Sequence, residues 1–430
     1  MKLYKSEVSN NLNPRIMLVI KNRPCLKNII KIICIIIFSI GIFVSGMVAH
    51  RDGKTHIMKQ IYEAKLMVPI NFFLSVLSGP IESLSIDIKQ NELKKLAFNR
   101  EIALSRGKLL TDHRDEVSAH INYNGVIYDV SIRLKGDQPD HWNDTKKWSF
   151  RIKVKNGLTI KGMSTFSVQH PKTRNYMNEW VYFKLLKYSG LIYLRYEFIK
   201  VIINGNNYGI YALEEHFTKE LIENNLRRES VIIRFDEQLL WNTVTQKTYD
   251  EVFTLAEIDA FNSKSVKYNS SDNKSFIRAK DLLESFRLGK LKVRETFDLD
   301  KTAKFFAIIE LFGQHHSSSY ANMRFYFNPI LSLLEPIGYD NVMLETLDVE
   351  KLQIENINHS VWRKLFFNDL EFVEYYNSYL IEISKKDFLI KFFDSIKYEY
   401  NTALHVLHKN YPWYIFKGNE IIDYNREYIH

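Results

Sequence analysis

Two runs of strict apolar–polar alternation, set between tight turns, constrain this chain more than any other feature. Asn124-Gly125 is a strong hairpin signal. After it, Val126, Tyr128, Val130, Ile132 and Leu134 alternate with Ile127, Asp129, Ser131, Arg133 and Lys135. Gly136-Asp137 ends the run. A polar loop leads to a second alternation, with Trp148, Phe150, Ile152 and Val154 on one face and Lys147, Ser149, Arg151, Lys153 and Lys155 on the other. Asn156-Gly157 turns the chain again. A period of two demands strands with one face buried. The other faces carry cations on both strands, with a glycine-containing loop between them. Two readings stand. Alternating lysine is the ordinary mark of a solvated sheet face. Equally, Lys135, Lys147, Arg151 and Lys153 can form a phosphate cradle, with lysine as point charge, arginine as fork and loop N–H groups as donors.

The next segments extend the pattern. Arg174 to Ser189 reads as a helix carrying Glu179, with Gly190 as its cap. Tyr196 to Ile203, Asn204-Gly205 and Tyr208 to Leu213 read as another hairpin, which runs into Glu214-Glu215-His216 and a charged helix from Thr218. The order of sheet, helix, hairpin, connector and helical part resembles the small lobe of a kinase followed by its hinge. In that plan a strand lysine pairs with a helix glutamate, and Lys153 and Glu179 are the candidates. Glu179 is as readily an ordinary exposed helix residue. The expected fold class is α+β and two-lobed, with an antiparallel-sheet small lobe over 111–217 and a mainly helical large lobe over 218–430.

The stretch from Asp300 to Asn341 holds the densest set of candidate groups. An apolar helix from Lys301 to Phe312 is stopped by Gly313. A polar loop follows with His315 and His316, then Asn322, a hairpin turning at Asn328-Pro329, and Asp340 at its end. Asparagine and aspartate at the two ends of one hairpin are hard oxygen ligands that can converge on Mg²⁺ and phosphate. They can also simply cap turns. No pair of carboxylates stands out in this stretch, which disfavours a glycoside hydrolase. The aromatic residues beyond Asp340 read as core rather than as a sugar platform.

The 430 residues suffice for two lobes. Ile32 to Ala49 is an 18-residue run without a charge, about the minimum for one spanning helix. Residues 1–31 hold seven Lys/Arg against Glu7 alone, a net +6 of the chain's +9. The expectation is a cytoplasmic basic tail (1–28), an uncleaved transmembrane anchor (29–49), a helical connector (50–110) and the bulk outside, periplasmic or extracellular. The basicity is then a topology signal, and no nucleic-acid partner is expected. Both cysteines, Cys25 and Cys34, precede residue 50, so the remainder can carry neither a disulfide nor a thiolate site.

Four pieces in order resemble the CotH family, the spore-coat-protein-H-like atypical kinases. They are RLKGD at Arg133 to Asp137, KKWSFRIKV at Lys146 to Val154, VIINGNNYGIYALEEHF at Val201 to Phe217, and ANMRFYFNP…LEPIGYDN ending at Asn341. The resemblance covers roughly residues 117–345. It implies ATP-dependent transfer of phosphate to a protein or other hydroxyl, with Asn322 and Asp340 as ligands of Mg²⁺ (or Mn²⁺). It also implies Lys153 or Lys147 on the phosphates and Glu215 beside the nucleotide base. One departure stands out. Family members carry an aspartate about five residues before the metal-binding asparagine, and here that position is Ser317. Serine cannot take a proton from a substrate hydroxyl at neutral pH, whereas a neutral imidazole at His316 can. The resemblance therefore leaves two functions. One is an exported, membrane-anchored kinase acting on an envelope protein or polysaccharide hydroxyl, with His316 and Asp340 as its catalytic residues. The other is a non-catalytic kinase-like binding or assembly protein in cell-surface polysaccharide production.

Overall fold

The computed structural model describes residues 56–110, 115–237, 248–313, 315–341, 344–348 and 360–430. The described residues divide into two compact units, residues 56–79 with 407–415, and those within 80–406 with 416–430. In the first, helix α1 (His56–Leu77) lies beside the 407–415 segment, where the Asn71 side-chain amide donates to the Pro412 carbonyl at 2.9 Å.

The second unit is built on seven strands: β1 (Ser83–Ile88), β2 (Val117–Tyr123), β3 (Val126–Leu134), β4 (Phe150–Val154), β5 (Thr165–Gln169), β6 (Tyr196–Ile203) and β7 (Asn206–Glu215). They close into a barrel in the order β1-β2-β3-β4-β5-β7-β6. The alternation read from the sequence decides which face turns inward. Val130, Ile132, Leu134, Phe150, Ile152, Val154, Phe166 and Val168 fill the interior core, while Arg133, Arg151 and Ser167 stand on the outer face.

This closed barrel corrects the expected two-lobed kinase-like arrangement with an antiparallel-sheet small lobe and a mainly helical large lobe. The strand responsible is β1, which lies inside the segment expected to be a helical connector. It pairs antiparallel with β2 and parallel with β6, so it joins the two sheet edges. Leu84, Ile86 and Ile88 point into the core with a period of two. The Asn204 side chain pins the end of β1, accepting from Ile88 N at 2.7 Å and donating to Ile88 O at 2.9 Å. Closure removes the exposed edges that an open sheet would carry. Helix α2 (Gln90–Arg106) follows β1 and packs over β2 and β3.

Beyond the barrel a second sheet, in the order β11-β10-β8-β9, combines β8 (Ile232–Phe235), β9 (Ile258–Ala260), β10 (Arg324–Asn328) and β11 (Leu333–Ile337). Helices α3 (Asn178–Tyr188), α4 (Ser270–Arg287), α5 (Leu299–Leu311), α6 (Val361–Phe367) and α7 (Leu370–Ile383) complete the elements used below. The aromatic residues of this half are core. Phe366 lies 4.9 Å, ring to ring, from each of Phe286, Phe306 and Trp362. Such pairs each add about 0.5–1.5 kcal/mol beyond the area they bury.

The expected anchor at 29–49 and the basic tail at 1–28 lie outside the described residues. Among the described residues no helix is long and apolar enough to cross a membrane. Helix α1 has the length, at 22 residues, but carries Lys59, Glu63 and Lys65 and has Pro69 inside it. The single-pass membrane location is thus corrected: no described helix supports it.

Candidate active site

A buried network of charged side chains joins the barrel to the second half of the same unit. It starts at Lys135, just past β3. The Lys135 ammonium donates to Gln169 Oε1 at 2.6 Å and to Glu214 Oε1 at 2.5 Å, and Gln169 Nε2 donates to Glu214 Oε2 at 2.9 Å. The loop behind Lys135 is packed to hold it. Lys135 N–H donates to Ser149 O at 2.9 Å, and Trp142 Nε1 donates to Gly136 O at 3.0 Å. Gly136 has φ +88°, and a Cβ there would stand 2.0 Å from the buried His141 ring. Only glycine fits that approach.

Arg174, at the end of a short 3₁₀ turn (Pro171–Arg174), is the hub. Its Nε lies 3.0 Å from Glu179 Oε2 and 4.0 Å from Glu214 Oε2, and its terminal nitrogen lies 2.8 Å from Asp340 Oδ1. Glu179, in the first turn of α3, accepts the backbone N–H of Asp340 at 3.0 Å. That contact depends on Gly338, where a Cβ would meet Leu186 Cδ1 at 2.0 Å. The glycine lets the end of β11 pass close against α3 and deliver Asp340, which sits in the left-handed region at φ +58°.

His316 closes the network from the other side, with Nε2 3.2 Å from Asp340 Oδ2. Its neighbour diverges: His315 Nε2 lies 2.9 Å from Glu310 Oε2, on the fully buried face of α5. The two histidines therefore serve different carboxylates and do not chelate together. Asn322 donates its side-chain N–H to His316 O at 3.0 Å. Ser317, where the resemblance led one to look for an acid, is buried.

The charges balance. Burial alone would raise Asp340, but Arg174 and the His316 hydrogen bond hold it well below the usual carboxylate range. Burial would also raise Glu214, and Lys135 and Arg174 pull it below its ordinary value. Burial lowers Lys135 to about 8, against the pull of Glu214, so it remains charged at pH 7. Burial pushes Glu179 up to about 8 despite Arg174, so its carboxyl is mostly protonated at neutral pH. Two cations, Lys135 and Arg174, thus face two carboxylates, Glu214 and Asp340, and the third acid is neutral. Unpaired buried charge is the alternative that this arrangement avoids.

Not every residue singled out from the sequence joins this network. Glu179, Lys135, Asp340 and His316 do, and Asn322 touches it through His316. Lys147 donates instead to Ile210 O at 3.0 Å, and burial lowers it to about 8. Lys153 is exposed and lines a separate surface cavity with Thr165, Phe217 and Glu220. Glu215 turns to the side of the strand opposite Glu214 and is held by Arg195, whose backbone N–H donates to Glu215 Oε2 at 3.0 Å. Arg151 lies on the outer barrel face, next to Arg133 in register. Sequence reasoning passed over Arg174, Gln169 and Glu214. The available signal was parity: Glu214 shares a cross-strand row with Ser167 and Arg151, while Glu215 pairs with Phe166.

A family model described as CotH kinase protein matches residues 132–413, which contain every residue of this network. The chain belongs to the CotH kinase family. No curated protein matches it. Kinase-like function, with use of a nucleotide and a metal, is what CotH membership brings in general terms. The residues present suit a hard cation. Among the described residues Asp340 Oδ1, beside Arg174, is buried without an aligned hydrogen-bond donor. Asn322 uses its N–H on His316 O and keeps its amide oxygen as an acceptor. Among the described residues no group of three His, Cys, Asp or Glu could hold a metal alone. Mg²⁺ commonly takes one or two protein oxygens and completes its shell with phosphate and water, which this CotH site can accommodate. Arg174 would share Asp340 with such an ion.

Proposed function

We propose that this CotH-family chain transfers a phosphate from ATP to a hydroxyl of a protein or a polysaccharide. The observation that carries the reading is the network in which the lysine after β3, a helix glutamate and the aspartate after β11 are tied together within the family-matched residues. Lys135 supplies a buried positive charge for phosphate oxygens. Asp340 and Asn322 would hold Mg²⁺ or Mn²⁺, which on binding neutralises charge on the phosphates. His316, 3.2 Å from Asp340, accepts the proton of the acceptor hydroxyl. The acceptor oxygen forms a bond to the γ-phosphorus, the bond to the β–γ bridging oxygen breaks, and ADP leaves.

The buried Ser317 supports a second reading, in which the domain binds nucleotide and transfers nothing. One experiment separates the two. The purified chain is titrated with ATP and Mg²⁺ or Mn²⁺ by calorimetry and assayed for transfer from labelled ATP. A kinase binds and transfers. His316→Ala then cuts turnover roughly 10²–10⁴-fold at little-changed ATP affinity, as for a positioned acid–base group, and Asp340→Asn loses the metal-dependent part of binding. Binding without transfer selects the second reading, and no nucleotide binding with either metal overturns both.

A further inference from the structure

The outer face of the barrel holds a second set of polar groups that the network above does not use. Arg133, Arg151, Ser167 and Glu214 are consecutive cross-strand neighbours on β3, β4, β5 and β7. Two like charges directly opposite each other on one sheet face repel. Neutralisation is only at a distance: Glu116, Asp137 and Asp115 act on Arg133 and Glu214 acts on Arg151, but among the described residues neither arginine has a direct carboxylate ion-pair partner, and Arg133 makes its hydrogen bond to Leu134 O at 3.0 Å. Arg151 Nε and Nη1 are buried without a partner, and so is Ser167 Oγ beside it. His216 Nδ1, which follows β7, is orphaned as well.

A further arginine pair belongs to the same charge cluster. Arg234 and Arg324 are register partners on β8 and β10. They share one acid, Glu237, at 3.9 and 2.5 Å, and Arg324 Nε is buried without a partner. Burial and then the charge of Arg133 draw Arg151 down to about 10 against the pull of Glu214, so it stays cationic at neutral pH. Each orphaned buried donor loses its hydrogen bonds to water without regaining them in the fold. Several such donors gathered on one sheet face make a candidate ligand site.

We propose that Arg133, Arg151 and Ser167 form an oxyanion site for a phosphate-bearing ligand, distinct from the Asp340 cation site. The planar guanidinium of Arg151 offers a fork matched to two phosphate oxygens, and the Ser167 hydroxyl offers a third donor. The phosphate belongs either to the nucleotide itself or to a phosphorylated acceptor, and the same chemistry serves both. The site lies beyond the proposed transfer reaction and needs neither metal nor turnover.

The test is calorimetric titration of the purified chain with inorganic pyrophosphate in the presence of a chelator. We expect binding by the wild type, at least a tenfold loss in Arg151→Met, a smaller loss in Ser167→Ala, and a partial loss in Arg151→Lys, which keeps charge without the fork. Lys155→Met, an exposed change just past the end of β4, should bind as the wild type does. Ser167→Ala keeps every charge, so it reads the site even where Arg151→Met disturbs folding. Competition with ATP then identifies the source. Mutual exclusion, with Arg151→Met weakening both ligands, makes the row a nucleotide subsite. Simultaneous binding makes it an acceptor subsite. Wild-type chain that does not bind pyrophosphate, or that binds it equally well after Arg151→Met and Ser167→Ala, overturns the proposal. The transfer assay stays an independent readout, so failure here leaves the kinase reading standing.

Discussion

Replacing Lys135 by methionine probes the centre of the charged network. Methionine matches the lysine stem closely but removes the ammonium that meets Gln169 Oε1 and Glu214 Oε1. Glu214 is 1% exposed and Gln169 is fully buried, so water cannot take the place of the lost donor. Breaking a buried pair by deleting one partner costs about 3–5 kcal/mol, because the remaining charge is uncompensated. Here Gln169 Nε2 still donates to Glu214 Oε2, and Arg174 remains 4.0 Å away. These place the loss near the lower end, about 3 kcal/mol. For a chain of this size that is a fall of roughly 3 °C in thermal midpoint at pH 7. The double variant Lys135→Met/Glu214→Gln removes both charges and should regain at least half of the loss, since a buried pair replaced as a whole is often near neutral. Differential scanning calorimetry of the wild type and both variants measures this. A single variant within 1 °C of the wild type, or a double variant as unstable as the single one, would refute the account of Lys135 as the compensating charge. The measurement also matters for activity. A Lys135 variant that has lost stability has not thereby been shown to lose phosphate binding, so the two must be read together.

Two further outcomes follow from the same geometry. The Glu179 carboxyl has a folded-state pKa raised to about 8, above its ordinary value. Its contribution to stability is therefore complete below about pH 4.5 and is lost as pH rises through about 8. Asp340 shifts the other way, and its contribution is lost only as pH falls below the ordinary carboxylate range. The difference in unfolding free energy between wild type and Glu179→Gln should change by on the order of 3 kcal/mol from pH 5 to pH 8, and a pH-independent difference in urea titrations would contradict a protonated Glu179. Gly136→Ala forces a Cβ to within 2.0 Å of the buried His141 ring at φ +88°, so a loss of about 2–3 kcal/mol is expected in thermal unfolding, and an unchanged midpoint would show that the loop behind Lys135 is not packed this closely.

Local pattern carried much of the architecture. Alternation from Val126 to Leu134 and from Phe150 to Val154 set the strands and sent their apolar residues inward, because a period of two leaves only two faces. Gly313 and Gly190 mark the ends of α5 and α3 with positive φ, as a residue without a Cβ allows. The family was legible too, from four ordered motifs whose region the family model matches. Barrel closure was not legible. The six residues of β1 lie between stretches that read as helix, and their partners β2 and β6 are distant in sequence, so only long-range pairing reveals them. Nor could pattern choose among the cations. Lys135, Lys147, Arg151 and Lys153 look alike as polar-face residues, yet one is buried against Glu214, one is tied to a backbone carbonyl, one is left unpaired and one is exposed. The sequence by itself determined strand parity, helix ends and family. The tertiary structure alone decided which charges share a low-dielectric interior, because Arg174, Glu179, Glu214 and Asp340 come from separate elements that meet only when the barrel packs on the second sheet and its helices.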